Sequence, residues 1–277
     1  MTYFNAIVLG LVQGLTEFLP VSSSGHLLIF QNFFGMNADS ILLFTILMHL
    51  GTLISVFVCF WQDIVLLCKE LVFTILDLVK GRGLRLAENP VRKLGIMIIV
   101  ASIPTAVIGI LFEDLFKNFY ATLLPTGVGL IITACLLWIA ERKENNVIEI
   151  GEMKFFHAIL IGIMQGIAIC PGISRSGSTL VGGLFAGLKR EFALEFAFLI
   201  SIPSILGSLI FEMDASAFNE VISIQKGPII LGAVIAAVSG ILAIKSMLTV
   251  VRKYSLRYFS LYTWCLGLYL IIYTLKR

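Results

Sequence analysis

The chain has 277 residues, of which 58% are hydrophobic and only 13% charged, whereas a soluble protein carries about a quarter charged residues. That composition excludes a soluble globular enzyme and describes an all-α, polytopic membrane protein. A net charge of +3 gives no case for nucleic acid as a partner; the placing of the charges carries more than their sum.

The first 20 residues are apolar but begin without Lys or Arg and carry Glu17, which does not fit a cleaved signal peptide. The pattern predicts a helix over 3–18 ended by Leu19-Pro20, a loop over 21–25, and a short apolar helix over 26–34. Nine residues at 1.5 Å rise reach about 13 Å, roughly half a hydrocarbon core. That favours a re-entrant hairpin over two spans, and irregular backbone at such depth must be buried in protein or face a wet cavity. A full span follows over 41–61. Residues 63–80 are apolar but carry Asp63, Lys69, Glu70, Asp77 and Lys80. Asp63, Glu70, Thr74 and Asp77 fall near one helical face, which reads as an interfacial amphipathic helix. Residues 81–90 form a loop, spans follow over 93–112 and 119–140, and 141–154 is a polar linker. A second hairpin occupies 155–187, followed by spans over 192–211, 228–249 and 256–275. The five cysteines are odd in number and show no C-x-x-C, so they read as small hydrophobes. Gly232 and Gly240 permit close helix packing, of which a homodimer is one use.

The two hairpins are copies, 152 positions apart. Over 10–25 against 162–177, six of sixteen positions are identical: Gly10/Gly162, Gln13/Gln165, Gly14/Gly166, Ser22/Ser174, Ser24/Ser176 and Gly25/Gly177. The chain therefore reads as a single integral membrane domain with repeat one over 1–140, a linker over 141–154 and repeat two over 155–277. Fifteen of the 20 Lys and Arg fall in 62–93, 141–154, 189–190 and 245–257; Lys117, Lys226, Lys276 and Arg277 lie on the opposite side, and Arg175 stands alone. The positive-inside rule then puts both termini outside. Each half is one hairpin plus three spans, an odd number, so the halves are inverted and their hairpin tips can meet near the midplane, where such folds place a binding site.

Each tip feeds the N-terminus of a short helix, a place that favours an anion. Hydroxyls of Ser22, Ser23, Ser24, Ser174, Ser176, Ser178 and Thr179 surround it, within loops that include Gly172 and Gly177. Arg175 adds a planar fork that matches phosphate, and an Arg at membrane depth is costly without a partner. A plainer reading has Arg175 pin one hairpin to the other through carbonyls or Glu17. Glu17, in an apolar run, must be protonated, paired with Arg175 or bound to a metal. Gln13, four residues earlier on the same face, offers a neutral oxygen, and a carboxylate with phosphate oxygens is a usual holder of Mg²⁺ or Ca²⁺. His26 suits a general acid, a base or a nucleophile, while His49 and His157 read as structural.

The segments Q-G-L-T-E-F-L-P-V-S-S-S-G-H (13–26) and P-G-I-S-R-S-G-S-T (171–179) resemble the two signature segments of the bacitracin-resistance family of undecaprenyl-diphosphate phosphatases. The resemblance implies an integral membrane phosphatase of the bacterial plasma membrane, with an active site open to the outer face. It implies removal of the terminal phosphate from an isoprenoid diphosphate lipid, which recycles the carrier for peptidoglycan synthesis. It also implies a divalent cation, Mg²⁺ or Ca²⁺. By position it assigns catalytic roles to Glu17, His26, Ser174, Arg175 and Thr179, with Glu17 also a cation ligand; Gln13 stands where many members carry Glu. Ser23 or Ser24 as nucleophile with His26 or Glu17 as base, His26 as nucleophile, and a metal-activated water all remain open. Inverted repeats also describe secondary transporters, so a lipid-phosphate or anion carrier is the rival expectation.

Overall fold

Local signals set where the helices begin. Thr2 accepts a hydrogen bond from the Asn5 N–H and starts α1 (Tyr3–Phe18); Leu19, extended ahead of Pro20, ends it. Asn89 caps α5 (Pro90–Leu111) through the N–H groups of Val91 and Arg92, with Pro90 in the first turn. The computed structural model describes residues 2–35, 38–143, 146–212 and 215–276. Its other helices are α2 (Ser23–Phe33), α3 (Ala38–Cys59), α4 (Trp61–Val79), α6 (Glu113–Tyr120), α7 (Leu123–Ala140), α8 (Phe155–Ile167), α9 (Arg175–Phe185), α10 (Arg190–Glu212), α11 (Ala215–Lys253) and α12 (Arg257–Leu275). Among the described residues α5, α7, α10, α11 and α12 each contain a stretch long and apolar enough to cross a membrane. The protein is an all-α, multi-pass membrane protein, as its composition requires.

Three elements differ from expectation. The second short helix starts at Ser23 rather than residue 26, because the Ser22 side chain caps it. The span expected over 119–140 begins at Leu123 as α7, preceded by the exposed, amphipathic α6. The segment read as interfacial, α4, joins α3 across an 86° bend at Phe60; of its polar stripe Asp63 is exposed, but the rest is covered. Glu70 and Asp77 instead turn inward onto Arg92 of α5, at 3.2 and 2.9 Å, while Leu71, Val72, Phe73, Ile75, Leu76 and Val79 are exposed. Carboxylates at an apolar protein surface are stabilised by a guanidinium that the protein itself supplies.

The first helix of each hairpin packs on a span from the other half of the chain: α1 lies along α11, and α8 lies along α5. The repeated glycines make this possible. A Cβ on Gly10 would come within 2.5 Å of the Gly232 carbonyl oxygen, and one on Gly14 within 2.5 Å of the Ala236 carbonyl oxygen and 2.0 Å of Ser239 Oγ. Their counterparts Gly162 and Gly166 stand equally close to Ala101 and Ile108 of α5, at 2.0 and 2.6 Å. Small residues let backbones approach in this way within membranes. Gly232 and Gly240 are used inside the chain, against Met48 and Ser55 respectively. Beside this crossing, Phe18 stacks edge-on against Phe198 at 5.6 Å, and Phe60 meets the same ring at 5.9 Å, which ties the end of α1 to the spans.

Substituting Gly14 by Ala should lower the apparent melting temperature in detergent, at a cost on the order of 1–3 kcal/mol for overpacking. Gly207→Ala, where nothing lies within 4 Å of the new Cβ, should leave it unchanged or raise it. Equal melting of Gly14→Ala and wild type by intrinsic-fluorescence scanning would sink the close-packing account.

Candidate active site

The first tip begins where Pro20 has stopped α1. Ser22 then turns the chain with φ +70° and ψ 96°, a conformation uncommon for a residue with a side chain. Its Oγ accepts from the Gly25 N–H at 3.2 Å and its carbonyl from the His26 N–H at 3.2 Å. Ser23 thereby becomes the first residue of α2. Its hydroxyl donates to Glu17 Oε2 at 2.5 Å, and Gln13 Nε2 donates to the same oxygen at 2.9 Å. His49 Nε2, from α3, lies 3.6 Å from that oxygen. Glu17 Oε1 is taken by the guanidinium of Arg175.

The second tip follows the same plan. After Pro171, Gly172 adopts φ +85°, and a Cβ there would fall 2.1 Å from the Thr126 carbonyl oxygen, so only glycine fits. Thr133 of α7 grips the loop from both sides: its hydroxyl donates to the Gly172 carbonyl at 3.2 Å and accepts from the Ser174 N–H at 2.9 Å. Ser174 Oγ caps α9 by accepting from the Gly177 N–H at 3.1 Å, which makes Arg175 its first residue. In both tips the capping hydroxyl lies 3.3 Å from that of the serine two positions on, Ser22 with Ser24 and Ser174 with Ser176.

The tips touch. Ser176 Oγ donates to the Leu19 carbonyl at 3.0 Å, a Cβ on Gly177 would stand 3.2 Å from Pro20 Cβ, and one on Gly25 would stand 3.5 Å from Gly172 Cα. Two helix N-termini, two capping serines and one ion pair therefore share one small volume. Ser23, Ser24 and Arg175 are half-buried, while Gln13, Glu17, Ser22, His26, Ser174, Ser176 and Ser178 are buried. A group entering from outside the protein meets Ser23, Ser24 and Arg175 first, with Glu17 behind them.

Not every expected residue reaches that opening. The buried Thr179 hydroxyl bonds to the Arg175 and Ser176 carbonyls of its own helix, at 2.8 and 3.1 Å, and Ser178 is buried within α9. His26 turns toward α12: Nδ1 lies 2.7 Å from the Ser22 carbonyl and Nε2 lies 2.6 Å from the Tyr262 hydroxyl. Residues outside the two motifs also enter. His49, read from sequence as structural, stands beside Glu17. Thr126 and Thr133 both reach the tips from α7; their spacing of seven marks one helical face, a polar stripe in an apolar span that could have flagged them. Tyr262 carried no such signal.

Among the described residues no three His, Cys, Asp or Glu side chains cluster as a metal site. The Gln13 Oε1 atom is fully buried and without a partner beside the Glu17 carboxylate, an arrangement in which a cation shared with substrate oxygens fits.

The family described as "Bacitracin resistance protein BacA" matches residues 6–269, a range that contains both tips and the spans that hold them. This chain belongs to that family. It is 49% identical to the undecaprenyl-diphosphatase of Alkaliphilus metalliredigens (strain QYMF), with 99% of this chain and 100% of that one covered. The undecaprenyl-diphosphatase of Halothermothrix orenii is 40% identical, with 98% of each chain covered. That of Carboxydothermus hydrogenoformans is 41% identical, over 98% of this chain and 97% of the relative. Membership of the family therefore extends over the whole architecture and not over the two signatures alone.

Contact between the tips is directly testable. In a background without the five native cysteines, Pro20→Cys with Gly177→Cys should form a disulfide under mild oxidation, because the side-chain positions are close to bridging distance. Both thiols should disappear from maleimide labelling and return with reductant. Persistent labelling of both after oxidation would show that the tips do not meet.

Proposed function

We propose that the protein is a membrane phosphatase that hydrolyses undecaprenyl diphosphate to undecaprenyl phosphate and inorganic phosphate. Its relatives are named for that substrate. The observation that carries the chemistry is the half-buried Ser23 hydroxyl, donating to Glu17 Oε2 at 2.5 Å, next to a guanidinium and two helix N-termini. Nucleophile, base and anion stabiliser are then within reach of one phosphoryl group.

In the proposed sequence Ser23 Oγ attacks the terminal phosphorus as its proton passes to Glu17. The bond to the bridging oxygen breaks, and Glu17 passes that proton to the departing undecaprenyl phosphate. Glu17, a carboxylate again, accepts a proton from the water that attacks the phosphoserine and returns it to Ser23 Oγ as inorganic phosphate leaves. Arg175 and the free N–H groups at the starts of α2 and α9 offset the charge on the phosphoryl oxygens throughout. Substrate must loosen the Arg175–Glu17 pair for the guanidinium to serve phosphate. A divalent cation would be held by Glu17 with Gln13 Oε1, and His49 lies near enough to Glu17 to join them. When bound it would supply charge neutralisation at the diphosphate oxygens.

The further expectations stand on the family and on charge placement. Lys and Arg concentrate in the loops on one side, which supports oppositely inserted halves and a site open to the outer face of a bacterial plasma membrane. The crossed packing of α1 on α11 and α8 on α5 supports the same inverted arrangement. Hydrolysis there would return the lipid carrier to peptidoglycan synthesis and would oppose bacitracin.

The test is phosphate release from undecaprenyl diphosphate, or a shorter prenyl diphosphate, by detergent-purified protein with Mg²⁺ or Ca²⁺. Wild type should release one phosphate per diphosphate and stop on chelation. Ser23→Ala and Arg175→Ala should each lose at least about 100-fold in kcat, and Glu17→Gln should lose activity and cation response together. No release by wild type with either cation would overturn hydrolysis and leave carriage of the lipid phosphate.

A further inference from the structure

We propose that Tyr262 is a positioning residue of this site, holding Ser23 against Glu17 through His26 and Ser22. The proposal rests on the phosphatase reading for its kinetics but not for its geometry. His26 Nδ1 lies 2.7 Å from the Ser22 carbonyl oxygen. A carbonyl only accepts, so Nδ1 carries the proton. In the neutral ring Nε2 is then the acceptor, and the Tyr262 hydroxyl, 2.6 Å away, donates to it. The two rings also lie nearly parallel, with centroids 5.7 Å apart and planes 13° apart. The Ser22 carbonyl and the Tyr262 hydroxyl thus select the same tautomer from the two sides of the ring, and Tyr262 fixes its orientation.

This chain of contacts ends at the reacting group. The carbonyl that His26 grips belongs to Ser22, the residue at φ +70°. A non-glycine residue persists in that region only when its surroundings hold it. The next residue is Ser23, and the unusual turn at Ser22 aims its hydroxyl at Glu17. With both ring nitrogens engaged, His26 has no lone pair to offer phosphorus or the Ser23 proton. Its place beside the serines is explained by what it holds, and Tyr262, from a helix outside both motifs, sets its hold.

Tyr262→Phe keeps the ring stack and removes the hydroxyl. It should lower kcat roughly tenfold, the weight of one lost hydrogen bond, with KM for the prenyl diphosphate nearly unchanged. In a His26→Asn background the same substitution should have no further effect. Ring ¹⁵N shifts of His26 in unliganded protein, assigned by difference from His26→Asn, should report the Nδ1–H tautomer in wild type and a mixture in Tyr262→Phe. Wild-type kcat in Tyr262→Phe, an equal loss with and without His26, or an unchanged tautomer would each overturn the proposal. If wild type released no phosphate, the phosphatase reading would fail, and the ring shifts would still decide whether Tyr262 governs His26.

Discussion

The ion pair between Glu17 and Arg175 is the contact on which the site depends. A carboxylate and a guanidinium, each costly to bury alone, come from opposite halves of the chain and meet at the one place where both helices are broken. Removing either would strand the other inside the protein, the more damaging way to disrupt a buried pair. The pair also sets the register of the tips, because Ser176 reaches the Leu19 carbonyl only when α9 starts beside the end of α1. A charge pair with this much held against it stores the means of binding an anion: a phosphate that displaces Glu17 finds a guanidinium already in position.

The scaffold around the pair is made of repeated parts, and the chemistry is not. Ser22 and Ser174 cap equivalent helices in the same manner, and Gly10 and Gly14 serve α1 as Gly162 and Gly166 serve α8. Three of the positions at which the copies differ carry the chemistry: Glu17 answers to Ile169, Ser23 to Arg175, and His26 to Ser178. Each tip therefore supplies what the other lacks. The first carries the carboxylate and the free hydroxyl, the second the cation. Those three differences make one set that is charged and directional.

Support from outside the tips explains how short, broken helices keep their geometry. Thr133 bonds both sides of the Gly172–Ser174 turn, and Tyr262 bonds the His26 ring. Both come from the last span of a half, and α7 and α12 pack against each other through Gly127 and Gly267. The loops are thus irregular only where neighbouring spans meet their backbone groups, the condition membranes impose. Among the described residues four buried side-chain polar atoms lack a partner, at Gln13, Thr126, Gln165 and Arg190; those of Gln13 and Thr126 belong to side chains around the tips.

Much was legible in the sequence. Apolar runs of span length, broken by Pro20 and by Pro171-Gly172, determined an all-α membrane protein with two kinked hairpins, since period and length are local properties of a chain. Isolated polar residues in those runs, Glu17 and Arg175 above all, singled out the site, because lipid makes every such residue conspicuous. What the sequence could not determine was partnership. The pairing of Glu17 with Arg175 was among the expectations, but residues 26 and 262, or 133 and 174, meet through packing between distant helices, and no pattern along one helix encodes that. The same holds for α4, where Arg92 of α5 faces Glu70 and Asp77, and for Thr179, whose hydroxyl is consumed by its own helix. Tertiary structure decided which polar groups are spent on holding the fold and which are left facing the opening, because a hydrogen bond is settled by distance and direction and not by residue type.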